Sequence, residues 1–140
     1  MQKFHLAWDE SRHSLGIPSL DRQHRGMMDL VNELAEAVAH GCSYEQAHQQ
    51  MEKILDFVAD HFADEEALMR KHDFPGLKQH AAEHEKLLRE AATLMETYDA
   101  GHADRALLIT AFLTDCVENH ILHEDRVVSQ YFREQGIKAD

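Results

Sequence analysis

The sequence predicts an all-α protein, an up-down-up-down four-helix bundle with an extended N-terminal arm, and three observations carry that expectation. Glycine and proline are scarce, at 6 and 2 in 140 residues, and all but Gly26 fall at Gly16 and Pro18, Gly41, Pro75-Gly76, Gly101 and Gly136, where they punctuate the chain. Between these marks the apolar residues recur at steps of three and four, the period of a helix and not of a strand. The breaks are short and the segments long, so consecutive helices should lie side by side and antiparallel.

Taken in order, residues 1–18 form the arm, with Trp8 as its packing anchor, and residues 19–136 form the bundle within a single domain spanning 1–140. Helices are expected over 19–40, 44–72, 77–99 and 103–133. The stripe of the first runs Leu20, His24, Met27, Val31, Leu34, Val38, and that of the second Met51, Leu55, Val58, Phe62, Glu65, Met69. The third reads Leu77, His80, His84, Leu87, Leu88, Ala91, Met95, and the fourth Ile109, Phe112, Cys116, Val117, His120. Ser43-Tyr44-Glu45-Gln46 has the form of a capping box, and Gly41 and Gly101 suit left-handed helix ends. Polar residues interrupt every stripe at a core position.

Composition narrows the function. Lys plus Arg number 14 against 26 Asp plus Glu, a net charge of -12, which repels nucleic acid and anionic membrane surfaces. No apolar run approaches the roughly 20 residues that cross a bilayer, and Met1-Gln2-Lys3-Phe4-His5 lacks the apolar core of a secretory signal, so a cytoplasmic protein without membrane insertion is expected. Two cysteines, Cys42 and Cys116, give no support for a disulfide framework. Twelve histidines are several times ordinary usage and direct attention to metal.

A pair at i, i+4, such as His80 and His84, stacks two imidazoles on one helix face, where they can chelate an ion. Such a pair arises about once by chance in a chain this rich in histidine. Height in the bundle is the stronger signal. In an antiparallel hairpin two residues are level when equally far from the turn, each helix rising about 1.5 Å per residue. His24 and His61 are centred between positions 42 and 43, in the Gly41-Cys42-Ser43 turn. Glu65 and His80 are centred between 72 and 73, beside the break before Pro75-Gly76, and His84 and His120 at 102, next to Gly101. Three turns therefore bring all four helices to one polar layer inside an apolar interior, where each unpaired charge would cost several kcal/mol. Singly, each histidine could bond a carbonyl or a surface carboxylate; collectively, a metal resolves the layer most simply.

Several segments together resemble the bacterial hemerythrins: Trp8-Asp9-Glu10, Leu15-Gly16-Ile17-Pro18, Leu20-Asp21-Arg22-Gln23-His24, His61-Phe62-Ala63-Asp64-Glu65-Glu66, His80-Ala81-Ala82-Glu83-His84 and His120-Ile121-Leu122-His123-Glu124-Asp125. The resemblance spans nearly the whole chain. It implies two non-haem iron ions, ferrous or ferric, with His80, His84 and His120 on one and His24 and His61 on the other. Glu65 and Asp125 would bridge them beside an oxo or hydroxo bridge. Five nitrogens, four carboxylate oxygens and both bonds of the oxygen bridge leave one of the twelve positions of two octahedral ions open. That position would fall on the iron with two histidines, where dioxygen binds reversibly as in hemerythrins. An apolar lining from Met28, Val31, Phe62, Leu87 and Val117 is expected to offer few proton donors.

Spacing alone favours Glu124, four residues from His120, over Asp125, which lies about 140° around an ideal helix. The resemblance decides for Asp125, and a π-type widening between His120 and Asp125 reconciles the two. Cys116 departs from the family, whose bacterial members often carry tryptophan four residues before this histidine. The smaller side chain predicts easier access for water or small anions and faster autoxidation. The remaining histidines, His13 among them, lie off the shared layer or outside the stripes and most read as solvated, with His123 a candidate partner of the site, and Asp64 and Glu66 read as facing water.

The resemblance implies a monomeric dioxygen-binding protein, not an enzyme, for storage, delivery or sensing, with an oxygen-consuming enzyme or a separate signalling protein as partner. The alternatives are a di-iron enzyme acting on peroxide or nitric oxide, an iron-centre repair protein, and a bundle using zinc or manganese structurally.

Overall fold

A computed structural model of the chain describes residues 6–98, 101–102 and 104–139. The elements in order are α1 (Glu10–His13), α2 (Pro18–Ala39), α3 (Tyr44–Lys71), α4 (Leu77–Glu96), α5 (Arg105–Asn119), a π-helical turn (His120–Glu124) and α6 (Asp125–Glu134). Each long helix packs on its sequence neighbour and α5 closes the ring against α2, giving the four-helix core. Residues 1–5 of the expected arm, and the expected boundaries at 99 and 103, lie outside the described residues.

Local chemistry accounts for the boundaries. Pro18 opens α2 with its φ already helical, and Gly41 ends it at a φ of 74°, which a side chain would strain. Ser43 and Gln46 form the capping box of α3 through two reciprocal bonds of 3.1 Å. The break after α3 turns at Asp73, whose φ is 54°, ahead of Pro75-Gly76. The fourth expected helix is divided into α5, the π turn and α6.

The arm is not extended throughout. Asp9 caps a single helical turn, α1, by accepting from the Ser11 backbone N–H at 3.0 Å. The described part of the arm is held to the bundle at two points: Leu6 exchanges two bonds with the Asn32 side chain, of 2.7 and 2.6 Å, and Ser129 Oγ donates to the Leu15 carbonyl at 2.7 Å. Trp8 is half-buried under the Arg25 guanidinium, 4.6 Å from its ring centre, and donates its indole N–H to Glu10. His13 departs from the expectation that it is solvated. It is fully buried, its Nδ1 accepting from the Asp9 N–H at 2.9 Å and its Nε2 lying 3.4 Å from Glu118.

The core is two apolar clusters. One, around Val31, Leu34, Met51, Ile54 and Ile109, fills the end of the bundle where α2 turns into α3. The other, around Leu15, Leu20, Met69, Phe74, Val128 and Phe132, fills the opposite end. The polar layer lies between them, in the driest part of the molecule. Among the described residues no helix is long and apolar enough to cross a membrane.

Candidate metal centre

All seven residues expected at the layer meet there: His24 from α2, His61 and Glu65 from α3, His80 and His84 from α4, His120 from the π turn and Asp125 from the start of α6. None is more than 6% exposed. The π turn is what brings in the last of them. The Asp125 N–H donates to the His120 carbonyl, a step of five residues, so both side chains face inward where an α-helix would turn one away.

The two carboxylates are shared between two histidine groups. Asp125 Oδ2 lies 2.7 Å from His24 Nε2 and 3.9 Å from His61 Nε2, while its Oδ1 lies 2.8 Å from His120 and 3.2 Å from His80. Glu65 repeats the division: Oε2 lies 3.4 Å from His61, and Oε1 lies 2.6, 3.1 and 3.6 Å from His80, His84 and His120. Each carboxylate thus offers one oxygen to each side. Two donor sets result, His24, His61, Glu65, His120, Asp125 and Glu65, His80, His84, His120, Asp125, each with atoms within 4.8 Å of one another.

These groups suit cations better than one another. His84 Nε2, His120 Nε2, Glu65 Oε2 and both oxygens of Asp125 are buried without a hydrogen-bond partner, although opposite atoms lie close. Their lone pairs converge on shared points and are misaligned for proton sharing. His24 Nε2 and His61 Nε2 are 3.1 Å apart, against about 3.0 Å for adjacent nitrogens of one octahedral ion with bonds near 2.1 Å. The donor set therefore fits two metal ions, and the cluster is a buried di-metal binding site with shared carboxylates.

Proton affinities express the same demand for positive charge. Burial opposes protonation of His120, but Asp125 and Glu65 outweigh it and push the imidazole up to about 10. His80 likewise rises to about 9, burial being overcome by the adjacent carboxylates of Asp125 and Glu65. Burial and the neighbouring Asp125 charge work to raise Glu65, yet the histidines hold it well below the usual carboxylate range. Asp125 is lowered in the same way, with His120 overcoming burial. For His24 burial prevails over Asp125 and the imidazole is lowered. The carboxylates draw protons onto the imidazoles when no metal supplies the countercharge.

Two residues read as facing water, or not singled out, orient the histidines. Glu66 accepts from His84 Nδ1 at 2.8 Å, and Gln23 accepts from His61 Nδ1 at 2.8 Å while donating to Asp64 at 2.8 Å. An imidazole that turns one nitrogen to a metal needs an acceptor for its other N–H. The level rule could have found both: Gln23 and His61 are centred on 42, and Glu66 and His84 on 75, each in a turn. Glu66→Gln is expected to weaken metal binding roughly tenfold in competition with a chelator. His123, in contrast, is exposed.

An apolar cavity of about 30 Å³ lies among the four helices beside the layer. Phe62, Leu87, Cys116, Val117 and His120 are in its wall. Phe62 stacks on His84 with ring centres 3.8 Å apart. Met28 and Val31, expected in this lining, are buried in the neighbouring apolar cluster instead, and Met27 takes the α2 position.

Fold and site define a helical-bundle protein with a histidine-rich di-metal centre. The chain belongs to the hemerythrin family: the family model described as the hemerythrin HHE cation binding domain matches residues 15–132. It is 30% identical to the bacteriohemerythrin of Methylococcus capsulatus over 122 residues, covering 87% of this chain and 92% of that protein. Identity to the bacteriohemerythrin of Pseudomonas aeruginosa is 27% over 86% of this chain and 77% of the other. A crystal structure of a hemerythrin leucine-to-tyrosine mutant superposes with a TM-score of 0.79 at 28% identity, over 93% of this chain and 97% of that one.

Proposed function

We propose that this protein binds dioxygen reversibly at two non-haem irons joined by an oxo or hydroxo bridge. The observation that carries the reading is the division of Glu65 and Asp125, one oxygen of each to each histidine group. In it His80, His84 and His120 would hold one iron and His24 and His61 the other, with Glu65 and Asp125 shared between them. Two ferrous ions there would supply the two electrons that dioxygen takes up on binding and returns on release.

The chain's own residues favour return. Phe62, Leu87 and Val117 give the cavity an apolar wall, which offers water few partners. Apart from His120 and the Cys116 thiol, whose proton burial retains, the wall offers no proton donor, so a path that consumes protons is disfavoured. Glu66 and Gln23 fix the planes of His84 and His61 and so limit rearrangement as the charge at the centre changes. A single cytoplasmic domain, monomeric and serving an oxygen-consuming enzyme or a signalling protein, completes the proposal.

The test is optical. A reduced, iron-loaded sample exposed to air is expected to form a coloured complex that bleaches on deoxygenation through repeated cycles. Irreversible oxidation at the first exposure, with turnover of added peroxide, would overturn the reading in favour of an enzyme.

A further inference from the structure

On the α4–α5 side the apolar cavity and a surface groove share one layer of side chains. Leu87, Phe112, Cys116 and His120 line the cavity on its inner face and an open groove on its outer face. His120, one of the donors, is among the residues lining the groove although only 3% of it is exposed, so a single buried imidazole stands between the groove and the donor cluster. The groove carries Glu83 and Glu90 from α4, and Asp115 and Glu124 from the opposite side. Among the described residues that line it there is no Lys or Arg; Lys86 approaches Glu90 at 4.0 Å on the surface. This negative field reaches the wall. Burial first, then the charges of Asp115, Glu90 and Glu83, push the Cys116 thiol up to about 12.

We propose that this groove is the access route by which small neutral molecules reach the buried centre, with Cys116 setting its width and the surrounding carboxylates turning anions away. The inference rests on the dioxygen-binding reading and adds the selectivity of its approach. A neutral diatomic loses little hydration on entering an apolar cavity, whereas an anion must shed its water and pass carboxylates of its own sign. The wall is one side chain thick at Cys116, the position where a tryptophan would thicken it. The rim therefore revises half of the expectation from sequence: a small residue at 116 widens the route, but for neutral ligands more than for anions. A second groove, between α3 and α4, meets the cavity at Phe62 and Leu88, and carries Arg70 and Lys78. There the Phe62 ring is held flat against His84, with an interplanar angle of 2°.

Stopped-flow association on the iron-loaded protein tests the route, with dioxygen as the neutral probe and azide as the anionic one. Cys116→Trp is expected to slow both several-fold and Cys116→Ala to speed both, so the proposal does not depend on the larger variant folding. Combining Glu83→Gln with Asp115→Asn is expected to raise the ratio of azide to dioxygen rates about tenfold at low salt, and added salt should do the same to the parent. A third arm needs neither metal nor dioxygen. Alkylation of Cys116 in chelated protein, read by peptide mass, should favour neutral iodoacetamide over iodoacetate, and the double variant should reduce that preference. Because both reagents attack the same thiolate, a change in its proton affinity cancels from the ratio. Unchanged association in both Cys116 variants would overturn the route and transfer it to the α3–α4 groove. Unchanged ratios in the azide and thiol arms would overturn the charge selection. If dioxygen binding proved irreversible while azide and thiol results held, the functional reading would fail and the access route would stand.

Discussion

Asp125→Ala is expected to hold no more than one iron per chain where the parent is expected to hold two. Its Oδ2 lies 2.7 Å from His24 and its Oδ1 2.8 Å from His120, so this one substitution takes an oxygen from both sides of the centre. The rest of the donor set stays in place, and the loss should fall first on the side with fewer histidines. Losing a donor oxygen on each side should cost more than the 10–100-fold typical of an outer partner, so we expect an affinity drop beyond about 100-fold at the weaker position. Iron per chain by elemental analysis, with helix content by circular dichroism as the folding control, checks this. A variant that kept two irons and an unaltered spectrum would remove Asp125 from the centre.

Chelation should change both the stability of the protein and its dependence on pH. Metal that binds only the folded chain stabilises it by about 4 kcal/mol when free metal exceeds its dissociation constant a thousandfold. In the chelated protein the imidazoles take over as countercharge, with a definite sign. His80 and His120 are raised from an ordinary 6.5 to about 9 and about 10. Their contribution to stability is fully present below pH 6.5 and is lost as pH rises through 9 and 10. Glu65 and Asp125 are lowered from 4.5 and 3.8, so their contribution is present above those values and lost as pH falls further. Chelated protein should therefore lose denaturation midpoint steadily from pH 6.5 to 10, while loaded protein, whose imidazoles are already deprotonated by metal, stays nearly flat over that range. Metal uptake at neutral pH should also release protons, countable by pH-stat. In Asp125→Ala the alkaline loss should shrink, because the charge that raises His120 is gone.

What could be read beforehand was whatever depended on periodicity along a helix or level between helices. The stripes gave four helices within a few residues of their ends, and three turn-centred pairs brought six side chains to one layer, with Asp125 added by resemblance. The π turn was reachable only through resemblance, because a five-residue step contradicts the geometry of an ideal helix. Features that depend on the path of the arm were not legible. His13 is buried because Leu6 clasps Asn32 and Leu15 is held by Ser129, contacts separated by 26 and 114 residues that leave no local pattern. Glu66 was misjudged for a different reason. It sits beside Glu65 and so points partly away from the bundle axis, yet the neighbouring helix presents His84 to that same face. Polarity suggested solvent, and the level rule, applied to the acceptors as well as the ligands, would have suggested otherwise.

The choice of Met27 over Met28 in the cavity wall belongs to the same class. Adjacent residues on α2 differ by about 100° in direction, and which of them borders the layer depends on a helix rotation that a stripe defines only loosely. The cavity itself, an apolar space of about 30 Å³ against a charged cluster, is a property of packing between four helices and of no one segment.

Gas uptake by the reduced, iron-loaded protein tests the central claim most directly. One dioxygen taken up per pair of irons, and returned in full when oxygen is removed, is the expected result. Uptake that is not returned, release of peroxide, or one dioxygen for every iron would contradict a shared centre that binds dioxygen reversibly.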